Sequence, residues 1–463
     1  MQRISARILL AGLKELQPNQ DIQITTVVTD SRRILPQSIF VCFKGNRVDG
    51  HDWAVQAIQK DVAFVIAEHP VEGVPEEQLV LVSSSLHAMV TMAANYRNCY
   101  SPLVIGITGS VGKTTTKEFC YTVFSAFGET LKTEGNQNNE IGMPNTIFRL
   151  SDATAYAVLE MGMSNLGEIS RLSKVALPTV GIITGIGVSH LENLGSRENI
   201  LKAKLEICDG IQEGGYLILN GDDPYLWNCS LPEHIKPIWV AIENEQADIC
   251  AKNIQIENGK TFFTICDKRH GKLSATIPTV GNHNISDALL AYGAAVALGL
   301  SPARAADALE RYQTTGMRQN IVKKGDITII EDCYNASPDS MKAAFSIMLQ
   351  LPAKRRCALV GDMLELGDIC KQAHKQVAEF AKDAGVELLF CYGKESEQTA
   401  IKATQLGIDK VIWNCDASIM AESLKKYLQP NDLLLVKASR GMKLEEILKE
   451  YYIWLSEKGV EMD

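Results

Sequence analysis

Residues 103–117 read LVIGITGSVGKTTTK, and the fold follows from how that stretch is built. Residues 103–107 are an apolar, β-branched run that predicts a buried strand, which breaks at Gly109 and Gly112 before Lys113 and three threonines open a helix toward Phe124. Strand, glycine loop and helix in this order make a phosphate loop. Glycines without Cβ let the backbone of Gly109, Ser110, Val111 and Gly112 close around phosphate oxygens, and the helix start at Thr114 and Thr115 adds partial positive charge. Lys113 can reach the β- and γ-phosphates, and the Thr114 hydroxyl can hold Mg²⁺. An isolated GxxGKT can also be a plain glycine turn, but the strand before it and the helix after it favour a nucleotide site, for ATP. The usual GxxxxGK(S/T) pattern needs glycine where Ile107 stands, so this loop is shorter. No NKxD follows to read guanine, which disfavours a GTPase.

Working outward, strands expected at residues 156–160, 180–184 and 216–220 alternate with 3.6-period segments up to about residue 312. That alternation implies a parallel sheet flanked by helices, with ligands at the carboxyl ends of the strands. A β-rich insert at residues 247–277 interrupts it before helices at 284–298 and 303–312. From Gly316 the pattern restarts, with strands at 327–331, 357–361, 388–392, 411–413 and 433–437. Upstream, short β runs at 22–29, 38–43, 63–67 and 79–82 are interleaved with helical stretches, and NCYSP at 98–102 ends that unit. The expected architecture is α/β with three domains: a small α/β N-terminal substrate domain (1–100), a central P-loop parallel-sheet ATPase domain (101–314) and a C-terminal Rossmann-like domain (315–463).

Composition agrees with this size. The 463 residues, 46% of them hydrophobic, are ample for about three cores. No apolar run reaches the ~18 residues of a membrane span, and the N-terminus lacks a signal-type apolar segment, so a cytoplasmic protein without membrane insertion is expected. Twelve cysteines without a CxxC pair suggest reduced core residues. The net charge of −9 argues against nucleic acid as a partner and leaves phosphate binding to local loops and cations.

Polar clusters recur at the ends of the expected strands. Asp30-Ser31-Arg32 and the loop at 44–51, with Asp49 and Gly50, sit where ligands are often held, although such a cluster taken alone is more often an ordinary turn. Thr133, Asn136, Asn138 and Asn139 lie in an amide-rich loop suited to amide or phosphate recognition, or to no ligand at all. Glu160 ends a strand where a nucleotide-bound metal needs a second hard oxygen beside Thr114. His190 follows another strand and could be structural or a ligand. Beyond it, Gly195-Ser196 starts a helix with apolar positions Leu201, Leu205 and Cys208. On that wheel Lys204 borders the buried stripe and Lys202 points away, so Lys204 is the candidate for a depressed pKa and for a carbamate formed with CO₂. Asn284 opens a helix, Arg318 stands at a domain junction within reach of a cleft or of a surface carboxylate, and Asp332, Tyr334 and Asn335 follow the strand at 327–331.

Taken together, TGSVGKTTTK, TEGNQNNEIGMP, LEMGMS, HLENLGS with KAK, GNHN, MRQN, DCYNASPDSM and GDMLELGD, in this order along essentially the whole chain, resemble the Mur ligase family. The resemblance implies an ATP- and Mg²⁺-dependent, monomeric amide-bond-forming ligase of peptidoglycan precursor synthesis. Its small-molecule substrates would be a UDP-N-acetylmuramoyl-tripeptide and D-alanyl-D-alanine. It places the UDP part on Asp30, Ser31, Arg32, Asp49 and Gly50, and the acceptor channel at Thr133, Asn136, Asn138 and Asn139. Lys113, Thr114 and Glu160 would hold ATP and a first Mg²⁺; Glu160, His190 and carbamylated Lys204 would hold a second. Asn284 and Asp287 would face adenine, Arg318 the γ-phosphate and Asp332 the ribose, with Tyr334 and Asn335 completing the nucleotide pocket. Two departures stand out: Asp287 replaces a usual asparagine, and so does Ser337. A folylpolyglutamate-type ligase would share the phosphate loop and the lysine but not the N-terminal DSR and DGH loops. A nucleotide-switched binding protein would not turn over ATP in response to an amine acceptor.

Overall fold

The computed structural model describes residues 1–45 and 48–459; Asn46 and Arg47, part of the loop at 44–51, lie outside the described residues. Its largest sheet has nine strands in the spatial order Gly271–Ile277, Lys260–Asp267, Ile249–Glu257, Lys236–Ala241, Tyr216–Asn220, Val180–Ile183, Leu103–Thr108, Tyr156–Glu160 and Thr130–Lys132. Pairing is parallel from Thr130–Lys132 as far as Ile249–Glu257 and antiparallel through the last two strands. Strands covered on both faces bury every residue, and Tyr156–Glu160 and Val180–Ile183 are buried throughout, so they read as continuous apolar runs. One face is covered by the helices Lys113–Ser125 and Asn282–Ala297, whose Phe119, Val123, Ile285 and Leu289 share a core with Ile105, Ile107 and Val158. The insert at 247–277 therefore prolongs the central sheet.

The C-terminal sheet has six strands in the order Asn320–Lys324, Ile327–Glu331, Asp432–Lys437, Arg355–Gly361, Val386–Tyr392 and Lys410–Asn414, parallel except for the first pair. Its central strands are buried, and helices pack on both faces. The N-terminal unit carries a parallel sheet of Val27–Val28, Ile39–Val41, Phe64–Ala67 and Leu79–Leu81. Helix Ser85–Arg97 joins it to the middle unit: Met89, Met92 and Tyr96 share a core with Phe148 and Leu150, and the Tyr96 hydroxyl donates to the Leu150 carbonyl at 2.9 Å.

Several elements depart from the sequence reading, the short strands Ile4–Ser5 and Thr130–Lys132 among them. The strand expected at 22–29 is two, Gln23–Ile24 pairing with Ile4–Ser5 and Val27–Val28 pairing with Ile39–Val41, because the intervening threonine backbone bonds Gln37 and Ile39 instead. Lys236–Ala241 and Asn320–Lys324 are strands that were not anticipated. The first opens on exposed Lys236 and Pro237, and the second is a half-exposed edge, so neither shows a clean apolar run. On helix Arg197–Leu205 the buried residues are Ile200, Ala203 and Lys204, while Leu201 and Leu205 are only half-buried. No helix among the described residues is long and apolar enough to cross a membrane.

Candidate active site

The carboxyl ends of the central and C-terminal sheets face each other across a cavity of about 600 Å³. Its middle-unit wall is the phosphate loop. Gly109 and Gly112 sit at φ 144° and 89°, and a Cβ there would lie 1.9 Å from Thr184 Oγ1 and 2.7 Å from Asp287 Oδ1, so both positions require glycine. Ser110 Oγ is buried without a hydrogen-bond partner, a donor left for a ligand. Lys113 Nζ donates to the Gly109 carbonyl at 2.7 Å and the Ser110 carbonyl at 3.3 Å. Burial lowers its pKa, and the nearby Glu160 carboxylate opposes that.

Glu160 is 2% exposed, yet its side chain is fully engaged. Thr114 Oγ1 donates to Oε2 at 2.9 Å and Asn138 Nδ2 to Oε1 at 2.8 Å, while its own N–H donates to Thr133 Oγ1 at 3.0 Å. Thr133 is thereby buried behind the cavity, whereas Asn136, Asn138 and Asn139 line it. His190 takes a positive φ of 63°, and its buried Nδ1 has no hydrogen-bond partner, lying 3.3 Å from Glu365 Oε2 of the C-terminal unit. Burial, then the charges of Lys204 and Lys113, lower its pKa to about 4, so the imidazole is neutral and able to ligate. Lys204 is 1% exposed. Its amine is pushed well below the usual lysine range by burial and then by Lys113, with Glu206, Glu168 and Glu160 opposing.

The opposite wall comes from the C-terminal unit. The Arg318 guanidinium lies 4.0 Å from the centroid of the Tyr334 ring. Asp332 is held by Lys437, whose ammonium donates to Oδ2 at 2.7 Å and to the Asn335 carbonyl at 3.0 Å. Asn284 lies just behind the cavity with its amide donating to the carbonyl of Val280 at 2.7 Å and to Gln319 Oε1 at 2.9 Å. Asp287 lines the cavity beneath Gly112 and accepts from Thr116 Oγ1 at 2.8 Å. Burial raises its carboxyl to about 8, which keeps it protonated at neutral pH and restores the donor that an asparagine would offer. Ser337, the other departure, caps helix Pro338–Gln350, accepting from Ser340 N at 3.4 Å.

The cavity thus gathers Ser110, Val111, Gly112, Lys113, Thr114, Thr115, Glu160, His190, Asp287, Arg318, Asp332, Tyr334 and Asn335 with the three asparagines. Asp30, Ser31, Arg32, Asp49 and Gly50 stand apart on the N-terminal unit. Asp30 accepts from Arg32 Nη2 at 2.7 Å, and Asp49 accepts from the His51 backbone N–H at 3.0 Å. Sequence reasoning missed His283, Arg197 and Lys437 on the cavity wall, and Lys117 behind it. Lys117 and His283 stand inside the quoted TGSVGKTTTK and GNHN, and Lys437 is the polar end of an apolar strand, but none of the three was singled out. Among the described residues no three His, Cys, Asp or Glu side chains converge as a metal site.

A phosphate loop at the switch of a parallel sheet, facing a second α/β unit across a cavity, defines a nucleotide-using protein. The chain matches the Mur ligase middle domain over residues 107–295, the glutamate ligase domain of Mur ligases over 317–440 and the Mur ligase family catalytic domain over 23–97. It belongs to the Mur ligase family. Among curated relatives, the UDP-N-acetylmuramoyl-tripeptide--D-alanyl-D-alanine ligase of Bacillus subtilis is 39% identical over 92% of both chains. That of Escherichia coli is 33% identical over 94% of this chain and 95% of its own. Among solved structures, MurF from Acinetobacter baumannii superposes with a TM-score of 0.88 at 27% identity, covering 98% of this chain and 99% of its own. MurF from Thermotoga maritima in complex with ADP does so at 0.85 and 27%, covering 96% of this chain and 100% of its own.

Proposed function

We propose that this chain joins D-alanyl-D-alanine to UDP-N-acetylmuramoyl-tripeptide at the expense of ATP, through an acyl phosphate, in peptidoglycan precursor synthesis. The observation that carries the reading is the cavity itself, in which Lys113, Glu160 and His190 of the middle unit meet Arg318, Asp332 and Tyr334 of the C-terminal unit. The relatives that share its full length bear this activity in their names. We take the domain limits as 1–100, 101–314 and 315–463, a reading supported by sheets whose strands span 27–81, 103–277 and 320–437.

In this reading the phosphate loop and Lys113 hold the β- and γ-phosphates, Arg318 approaches the γ-phosphate, and Asp332, fixed by Lys437, meets the ribose. The tripeptide carboxylate attacks the γ-phosphorus and ADP leaves. The dipeptide amine then attacks the acyl carbon, the amide forms as phosphate departs, and the amine gives up a proton. Lys113 and Arg318 lower the repulsion between the two anions in the first step. The His190 imidazole, the Glu160 carboxylate, the Thr114 hydroxyl and a carbamate on Lys204, whose amine burial pushes well below the usual lysine range, would hold Mg²⁺, with oxygen donors in the majority. Bound there, Mg²⁺ would supply phosphate-charge neutralisation. Closure of the C-terminal unit over the middle unit would exclude water from the acyl phosphate. In this reading the protein works as a monomer, in the cytoplasm where ATP and UDP-activated substrates are found.

The test is phosphate release on mixing the protein with ATP, UDP-muramoyl-tripeptide and D-alanyl-D-alanine. Release that needs all three supports the reading; release indifferent to the dipeptide overturns it.

A further inference from the structure

Behind Glu160 lies a buried chain of charges that the reaction scheme above leaves unused. Lys117, one turn after Lys113 on helix Lys113–Ser125, is 2% exposed. Its ammonium lies 3.2 Å from Glu118 Oε1 and 3.9 Å from Glu160 Oε2. Glu118 Oε2 in turn takes Lys132 Nζ at 2.5 Å, and that ammonium rests 4.2 Å from the centroid of the Tyr121 ring. Charges alternate from the partly exposed Lys132 to Glu160 at the cavity, and the four side chains sum to zero.

Burying an ammonium costs several kcal/mol after relaxation, and an apolar side chain of the same length would fill the slot without that cost. Lys117 is too deep to meet a substrate, so its effect is on its neighbours. The two hydrogen bonds to Glu160 come from neutral donors, Thr114 on Oε2 and Asn138 on Oε1. Lys117 is the cation beside Oε2, the oxygen that shares Thr114 with the nucleotide side. Removing its charge would take away the ammonium 3.9 Å from Oε2, and with it the hold on the direction in which the carboxylate points.

We propose that Lys117 is a positioning residue that keeps the Glu160 carboxylate aimed at the divalent cation of the nucleotide complex. The proposal rests on the reading of Glu160 as a metal ligand. The experiment is Mn²⁺ binding to the ADP-loaded protein, followed by electron paramagnetic resonance of free Mn²⁺, for the wild type, E160Q, K117M and K117M/E118Q. A lost outer partner of a metal ligand weakens affinity by about 10- to 100-fold, so K117M should raise the Mn²⁺ dissociation constant by at least about tenfold. ADP binding in EDTA should stay unchanged. The double variant removes the Glu118 charge as well and should fold even where K117M does not; because its Glu160 still lacks the lysine, it should remain as weak as K117M. Wild-type Mn²⁺ affinity in the double variant would overturn the proposal, since Lys117 would then serve only to neutralise Glu118. A matching loss of ADP binding in EDTA would also overturn it, placing the role in the phosphate-loop helix. If E160Q itself binds Mn²⁺ normally, the ligand reading fails and the proposal with it.

Discussion

Asp287 is a carboxyl group that burial has turned into a proton store beneath the phosphate loop. Its pKa, raised to about 8 by burial and only partly offset by the Thr116 hydroxyl, exceeds the unfolded value. The folded state therefore binds the proton more tightly, and stability falls as pH rises from about 4 to 8. Asp287→Asn should be near neutral to stability at pH 4 and stabilising by up to about 6 kcal/mol at pH 9, read as a rise in Tm. Lys113 carries the opposite burden. Lys113→Ala should lower turnover by at least about 100-fold, with an unchanged circular dichroism spectrum, if, as proposed, its cation meets the transferred phosphoryl group. Lys204 and Lys202 make a paired test: Lys204 is fully buried and Lys202 exposed. Removing CO₂ should depress wild-type turnover and bicarbonate should restore it, with Lys204→Ala far more damaging than Lys202→Ala.

At the level of elements, the loop between strand Leu103–Thr108 and helix Lys113–Ser125 has no room to spare. Gly109→Ala would force Cβ into Thr184 Oγ1 at a φ of 144°, and should cost about 2 kcal/mol or more together with nucleotide affinity, measured by thermal unfolding and ADP titration. Elsewhere an element junction is held by one buried side chain. Arg97 ends helix Ser85–Arg97, and its guanidinium donates to the Ala176 carbonyl at 3.1 Å and the Tyr100 carbonyl at 2.7 Å. Ala176 is itself the last residue of helix Glu168–Ala176, so helix C-terminal charge stands in for a carboxylate partner. Arg97→Met should cost about 1–3 kcal/mol by leaving those carbonyls unpaired, without altering the KM for ATP.

Across the whole molecule, the three units divide the work by distance. Arg32 is 87% exposed on the N-terminal unit, paired with Asp30 at 2.7 Å, and does not line the cavity. If it anchors the UDP end of the substrate, Arg32→Ala should raise the KM for the nucleotide-sugar substrate by about tenfold and leave that for ATP alone. The middle and C-terminal units already touch: His190 Nδ1 approaches Glu365 Oε2, and a Cβ on Gly187 would lie 2.5 Å from Asp339 Oδ2.

The sequence by itself determined the elements whose patterns are local. The run at 103–107, the glycine loop, the helix opening at Lys113 and the restart after Gly316 were legible because strand, turn and helix each have a short-range period or a required residue type. The same held for the Ser196 cap and for the outward face of Lys202. The edge strand Asn320–Lys324, the split of 22–29 and the depth of Lys204 were not legible, because pairing partner and burial are set by residues far along the chain. So too with Lys117, Lys437 and Asp287. Their roles arise from meeting Glu160, Asp332 and Gly112 in a dry interior, where a charge must find a partner or lose its proton, and only the tertiary structure supplies that interior.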